Sequence, residues 1–325
     1  MEENNIFPLQ PPVIAIVVPC FNESDALPIS VPVLLNWLDS MHQAQMIAKD
    51  SYILCVDDGS SDSSWHILEQ MHLADRRVKA LALAHNRGHQ YALLAGLIEA
   101  KDNCDAAISI DADLQDDVQA MTEMVKLYRQ GKDIVYGVRS SRASDTAFKR
   151  STAHAFYTFQ KWMGLETVYD HADYRLMSRR ALGLLSQYQE SNLFLRGIVP
   201  HIGLESDVVY YQRTPRVAGE SKYPFSKMLA LSIDGITSFS AKPMRWIFYT
   251  GLIFFAITLI VGVIVLIRAF SPDYIHTGWA SIMLSLWGLG SIILMAIGIV
   301  GEYIGKIFNE VKHRPRYALK DRLWD

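Results

Sequence analysis

The sequence predicts an α/β domain, a mostly parallel sheet covered by helices, followed by a two-helix transmembrane hairpin. Three observations predict it: short β-rich runs alternate with longer amphipathic segments, polar clusters fall where those runs end, and two uncharged apolar stretches occupy the later part of the chain.

Val13–Val18, Tyr52–Val56, Val78–Leu83, Ala106–Ile110 and Ile134–Val138 are aliphatic-rich and read as buried strands. Leu27–Met41, Ser63–His72, Gln90–Ala100 and Val118–Arg129 carry apolar residues at helical spacing. Strands and helices that alternate in this way build a parallel sheet, and such sheets bind ligands beyond the carboxyl ends of their strands.

Ile247–Ile267 is uncharged and close to the roughly 20 residues a helix needs to cross a bilayer. Gly278–Gly301 is a second such run, and only Arg268–Thr277 separates the two. Lys242 and Arg245 precede the first run, while Lys306, Lys312, Arg314, Arg316, Lys320 and Arg322 follow the second. The positive-inside rule places both flanks in the cytoplasm. The start of the chain, MEENNIFPLQPP, lacks the basic and apolar regions of a secretory signal, so the first domain is expected there too. The expected division is a domain over 1–224, a juxtamembrane segment over 225–246, the hairpin over 247–301 and a basic tail over 302–325. Within the second, Phe225–Phe239 has the interrupted apolar pattern of an interfacial helix.

At 325 residues and 50% hydrophobic side chains the chain holds a sizeable domain plus membrane-embedded material. A net charge of −3 gives no global basic field, which argues against a nucleic acid partner. Cys20, Cys55 and Cys104 have neither CxxC nor metal-ligand spacing and read as reduced core thiols. Self-association is left open.

The chemistry-bearing residues cluster at strand ends. The first strand runs into Pro19, Cys20, Phe21, Asn22 and Glu23, where Asn22 also suits a helix cap. The second ends in Asp57, Asp58, Gly59 and Ser60; adjacent carboxylates accept hydrogen bonds from a base and a ribose, or close an Asx turn. After the fourth come Asp111, Asp113 and Gln115, which would share one side of an extended segment. Three hard oxygens at that spacing suit Mg²⁺ or Mn²⁺, which keeps waters and bridges substrate phosphates. The plainer reading is an acidic loop with Asp116 or Asp117 capping the next helix. Downstream, Arg139, Arg142, Lys149, Arg150, Arg175, Arg213, Arg216 and Lys222 lie in polar stretches. Arginine holds phosphate oxygens through paired donors, and several near a membrane anchor suit a phosphate-headed lipid.

Together these elements resemble glycosyltransferase family 2, in the branch similar to dolichol-phosphate mannose synthase and bactoprenol glucosyltransferases. The resemblance runs in order through Val18–Glu23, Asp57–Asp62, Asn86–Gly88, Asp111–Asp116, Gly137–Arg139, Asp173–Met177, Gly219–Tyr223, the hairpin, Gly301–Tyr303 and Arg314–Arg316. It implies a GT-A fold and inverting transfer of a hexose from a nucleotide-sugar donor, UDP-glucose first and UDP-N-acetylglucosamine or UDP-galactose after it, to undecaprenyl or a related polyprenyl phosphate. It also implies nucleotide contacts from Pro19, Glu23, Asp57, Asp58 and Asp111, a divalent metal on Asp111, Asp113 and Gln115, and acceptor-phosphate contacts from Arg139, Arg175 and Lys222. Asp113, Asp173 and Arg139 would be catalytic. The chain departs from the branch at Asp117 and Val118, where two prolines are common, at Ala172–Tyr174, and at His89, where relatives often carry another basic residue. A processive polysaccharide synthase resembles the nucleotide-binding half, but carries Gln-x-x-Arg-Trp where this chain has Lys242 before Arg245 and Trp246. A catalytically silent sugar-nucleotide-binding scaffold is the remaining alternative, and the intact acidic motif argues against it.

Overall fold

The computed structural model describes residues 10–140, 171–190, 194–212, 242–269 and 278–324. Arg142, Lys149, Arg150, Arg213, Arg216, Lys222 and the segment 225–239 lie outside the described residues. The strands are β1 (Ile14–Cys20), β2 (Tyr52–Asp57), β3 (Val78–Leu83), β4 (Ala106–Ser109), β5 (Ile134–Arg139), β6 (His171–Ser178), β7 (Ser206–Tyr211) and β8 (Leu319–Leu323). The helices are α1 (Leu27–Gln43), α2 (Ser64–Ala74), α3 (His89–Ala100), α4 (Ala120–Arg129), α5 (Arg179–Leu185), α6 (Leu195–His201), α7 (Lys242–Ala269) and α8 (Trp279–Val311).

All eight strands join one sheet in the order β7-β5-β6-β4-β1-β2-β3-β8. β4, β1, β2 and β3 are parallel, as the alternation of strands and helices predicts. From β1 the chain proceeds to β2 and β3 on one side and then to β4 on the other. The strand order therefore reverses between β1 and β4, and their carboxyl ends form the crevice where α/β sheets bind ligands. β1 and β2 are buried along their whole length, which explains their unbroken aliphatic runs.

Three strands were not expected. β6 is antiparallel to both neighbours and lies between β4 and β5. It carries Asp173 and Arg175, assigned above to a polar stretch; the two side chains pair inside the sheet, so a charged segment becomes a buried strand. β7 extends β5 in parallel. β8 comes from the tail expected as a separate basic segment, and runs antiparallel to β3 from Ala80↔Leu323 to Leu83↔Leu319. Trp324 secures it, with its ring 5.8 Å from that of Tyr52 and Lys79 Nζ 4.3 Å above it, while Arg322 pairs with Glu99 at 2.6 Å.

Residues 314–324 thus belong to the same compact unit as the first seven strands, while α7 and α8 belong to a second. Within that second unit both helices form where the apolar runs predicted them, and they contact each other. Among the described residues one stretch, Ser285–Val311, is long and apolar enough to cross a membrane. Of the two expected spans, the second thus has the length and apolarity that a crossing needs.

Candidate active site

The loops after β1 and β2 are stitched together by short polar side chains. Asn22 N donates to Ser60 Oγ, Ser61 N to Asn22 Oδ1, Glu23 N to Ser64 Oγ and Ser24 N to Asp62 Oδ2, all between 2.9 and 3.1 Å. Asn22 adopts φ 54°, a left-handed conformation that asparagine tolerates. It is a cross-loop clip rather than a helix cap. These bonds hold Pro19 and Glu23 beside Asp57 at the crevice.

The two adjacent acids after β2 have different tasks. Asp57 is buried and accepts the Ser60 amide, at 3.2 and 3.3 Å to its two oxygens; burial raises its carboxyl above the ordinary range, against the pull of Ser60. Asp58 accepts Arg87 N and Gly88 N at 2.7 Å each, one amide per oxygen, so it ties the β2 loop to the loop after β3. Asp58 thus has a structural task beside the nucleotide contact expected of it. Gly59, at φ 70°, permits the approach: a Cβ there would lie 2.8 Å from Asn86 N.

β4 ends at Ser109, and the acidic motif that follows is a turn rather than an extended segment. Leu114 N reaches back to Asp111 O at 3.3 Å, and Leu114 takes φ 45°. Alternation therefore does not align Asp111, Asp113 and Gln115, as the sequence reading supposed. Such a φ is unusual for a branched side chain and marks a position held by its surroundings. Asp113 accepts Gln115 N at 3.2 Å, Gln115 is buried, and Asp117 accepts Gln119 N at 2.9 Å. Asp116 caps nothing; its Oδ1 accepts Tyr211 Oη at 2.5 Å and Arg139 Nη2 at 3.2 Å.

Among the described residues no group of three or more His, Cys, Asp or Glu is arranged to hold a metal. Asp111 and Asp113 nevertheless fit a site completed by substrate oxygens. The Asp111 side chain is 43% exposed, and its carboxyl is pushed up by the protein packed around it and by the charges of Asp116, Asp173 and Asp113, against the pull of His89. A divalent cation relieves that crowding of like charge.

Asp173 is the hub of the other half. Its Oδ1 accepts Arg175 Nη2 at 2.5 Å; its Oδ2 accepts Gln90 Nε2 and Arg196 Nη2, each at 3.1 Å, and lies 3.6 Å from His89 Nε2. Burial alone would raise this carboxyl, but His89, Arg196 and Arg175 hold it well below the usual carboxylate range. His89 Nε2 also lies 3.7 Å from Asp111, so it bridges the two acids. Gln90 Oε1 accepts Leu195 N at 3.0 Å, which fixes the start of α6 against Asp173.

Arg175 is 1% exposed, with Nη1 on the Leu195 carbonyl. Where the sequence suggested an acceptor contact, the guanidinium is enclosed in this structure and supports Asp173. Arg139 keeps part of its surface, held through Asp116 and by Nε to Tyr211 Oη at 3.2 Å. The structure so gathers Asp111, His89, Asp173 and Arg196 in one group, and Asp116, Tyr211 and Arg139 in another. Sequence reasoning did not single out Arg196, Gln90 or Tyr211 as site residues, since each is an ordinary residue in its own segment.

Residues 15–185 match the family model for glycosyl transferase family 2. An uncharacterized glycosyltransferase of Bacillus subtilis, YkoT, is 47% identical over 97% of this chain and 93% of its own. The bactoprenol glucosyl transferase of Shigella phage SfX is 36% identical over 95% of this chain and 99% of its own. Among solved structures, the mannosyltransferase PcManGT from Pyrobaculum calidifontis, in complex with GDP-Man and Mn2+, covers 94% of this chain and 88% of its own at 13% identity and a TM-score of 0.41. Because the family model spans more than half of the chain and the sequence relatives match nearly all of it, this protein belongs to glycosyl transferase family 2 and is a glycosyltransferase.

Proposed function

We propose that this enzyme transfers glucose from UDP-glucose to a polyprenyl phosphate such as undecaprenyl phosphate, with inversion, at the cytoplasmic face of a membrane. The observation that carries the reading is the meeting of an oxygen-rich acidic turn, Asp111 and Asp113, with partly exposed arginines, in a chain whose relatives include bactoprenol glucosyl transferases.

In the reaction a phosphate oxygen of the lipid forms a bond to the anomeric carbon while the bond from that carbon to the nucleotide diphosphate breaks. A phosphate monoester has a second pKa of about 6, so the nucleophile is largely ionised at neutral pH. A strong base is not required, and Asp173, with its depressed proton affinity, is suited to orienting its neighbours instead. Pro19, Glu23 and Asp57, at the carboxyl ends of β1 and β2, hold the nucleoside beside the crevice. Arg139, oriented by Asp116 and Tyr211, holds the acceptor phosphate in line, with Lys222 as a second cation. Asp111, Asp113 and Gln115 would hold a Mg²⁺ or Mn²⁺, which when bound would supply positive charge against the departing diphosphate.

The membrane arrangement draws its support from β8. A chain that leaves the sheet after β7 and returns to it at β8 ends on the side of the membrane from which it started, so it crosses an even number of times. Ser285–Val311 supplies one crossing and α7 the other. The basic flanks set the sheet on the cytoplasmic side.

The test is transfer by the full chain in nanodiscs, with UDP-glucose, UDP-N-acetylglucosamine and UDP-galactose offered in parallel and undecaprenyl phosphate as acceptor. A lipid product heavier by one hexose, made from UDP-glucose and abolished by chelator or by Asp113→Ala, is expected. Equal transfer to a free sugar refutes the lipid acceptor, and full activity in chelator refutes the metal.

A further inference from the structure

We propose that Arg196, at the start of α6, binds a phosphate oxygen of a substrate in this site. The inference rests on the reading above that both substrates carry phosphate, and it adds a residue that neither the acidic motif nor the Arg139 group contains.

Two arginines lie on Asp173, and they differ. Arg175 is enclosed, whereas the Arg196 side chain keeps 40% of its accessible surface. Arg196 spends a single N–H on Asp173, at 3.1 Å, on an oxygen that Gln90 also uses. A guanidinium is a planar fork built for two parallel bonds to a carboxylate or phosphate, so a one-bond contact on a shared oxygen leaves the fork largely unspent. Its Nε, like that of Arg175, is shielded from solvent and has no hydrogen-bond partner among the described residues, but only Arg196 combines such a spare donor with a guanidinium that is partly open. Buried donors are nearly always paired, and one left over beside a ligand crevice points to a partner that arrives with the ligand.

The surrounding charges agree. Arg196 feels the attraction of Asp173 and Asp111 and the repulsion of Arg139. Asp173 carries one negative charge against Arg175, Arg196 and the nearby His89. An incoming dianion between Arg139 and Arg196 relieves their mutual repulsion, and the Asp173 contact keeps Arg196 aimed until it arrives. The phosphate is either the diphosphate of the donor or the monoester of the lipid.

Calorimetry on the full chain in nanodiscs, with UDP as one ligand and citronellyl phosphate as the other, separates these sources. Arg196→Gln is expected to weaken at least one of the two by tenfold or more while the unfolding temperature stays at the wild-type value. Loss for citronellyl phosphate assigns the contact to the acceptor, loss for UDP to the donor, and either supports the proposal. Arg196→Lys keeps the charge beside Asp173 without the fork and should restore only part of the affinity; it also serves as the test variant should the glutamine form not fold, with a threefold loss then expected. Both affinities within twofold of wild type, or losses that appear only with a lowered unfolding temperature, overturn it. If wild-type protein neither binds citronellyl phosphate nor glycosylates a polyprenyl phosphate, the acceptor reading falls, and the UDP arm still decides the role of Arg196.

Discussion

Tyr211 and Asp116 meet at 2.5 Å, phenol donating to carboxylate, although 95 residues of chain separate them. The contact joins the end of β7 to the acidic turn after β4, and Arg139 closes the triangle by donating to both partners. Arg139→Ala should raise the acceptor concentration needed for half-maximal transfer by tenfold or more, since a hydrogen bond to a charged group contributes about 1.5–3 kcal/mol. UDP binding should change little. Tyr211→Phe leaves Arg139 in place with one anchor fewer, so a smaller shift in the same direction is expected. Transfer rates at varied undecaprenyl phosphate, beside calorimetry with UDP, check both.

Asp58→Asn should behave as a structural variant. An asparagine presents one acceptor and one donor to two amides that both donate, at Arg87 and Gly88, so one bond is lost and a repulsion replaces it. A loss of about 1–3 kcal/mol in urea denaturation is expected. Saturating UDP should recover part of the stability by mass action. Unchanged stability with abolished UDP binding would return Asp58 to the nucleotide.

Gly96 lies where α3 crosses the sheet, and a Cβ there would stand 2.4 Å from Val17 Cγ1 and 2.8 Å from Val56 Cγ2. Both valines belong to fully buried strands that cannot retreat. Gly96→Ala should therefore destabilise by about 1–3 kcal/mol, the usual range for overpacking. Thermal unfolding measures it, and an unchanged transition would mean that α3 shifts freely on the sheet.

All three cysteines are free and buried. Burial pushes the Cys55 and Cys104 thiols up to about 12 each and Cys20 well above its ordinary value. Because the thiolate is the reactive form, native protein at pH 8 should resist iodoacetamide while urea-unfolded protein is fully alkylated. Mass spectrometry of the two samples checks this.

The expectations that held share a physical basis. β1 to β5 were legible because strands covered on both faces need uninterrupted aliphatic side chains, and α1 to α4 because each buries one face on that sheet. β6 was hidden because Asp173 and Arg175 neutralise each other inside the sheet, a pairing invisible in composition. β8, Leu-Lys-Asp-Arg-Leu, reads as a soluble tail because an exposed edge strand needs charges that discourage further pairing. In the site, the acidic clusters were legible as types placed at strand ends. Their tasks were not, because the partners of Asp58 are backbone amides from another loop, and those of Asp116 lie on β5 and β7.

β8 also sets an order of events during synthesis. The ribosome delivers β1 to β7 first, then α7 and α8, and only then the five residues that cover the outer side of β3. Until translation is nearly complete, the edge of β3 presents unpaired amides and carbonyls, an invitation to pair with other nascent chains. The strand that covers this edge emerges only after both helices, so the sheet cannot be finished before α7 and α8 have been made. A chain stalled or cleaved between residues 313 and 319 would carry every acid and arginine of the crevice and still leave that edge open.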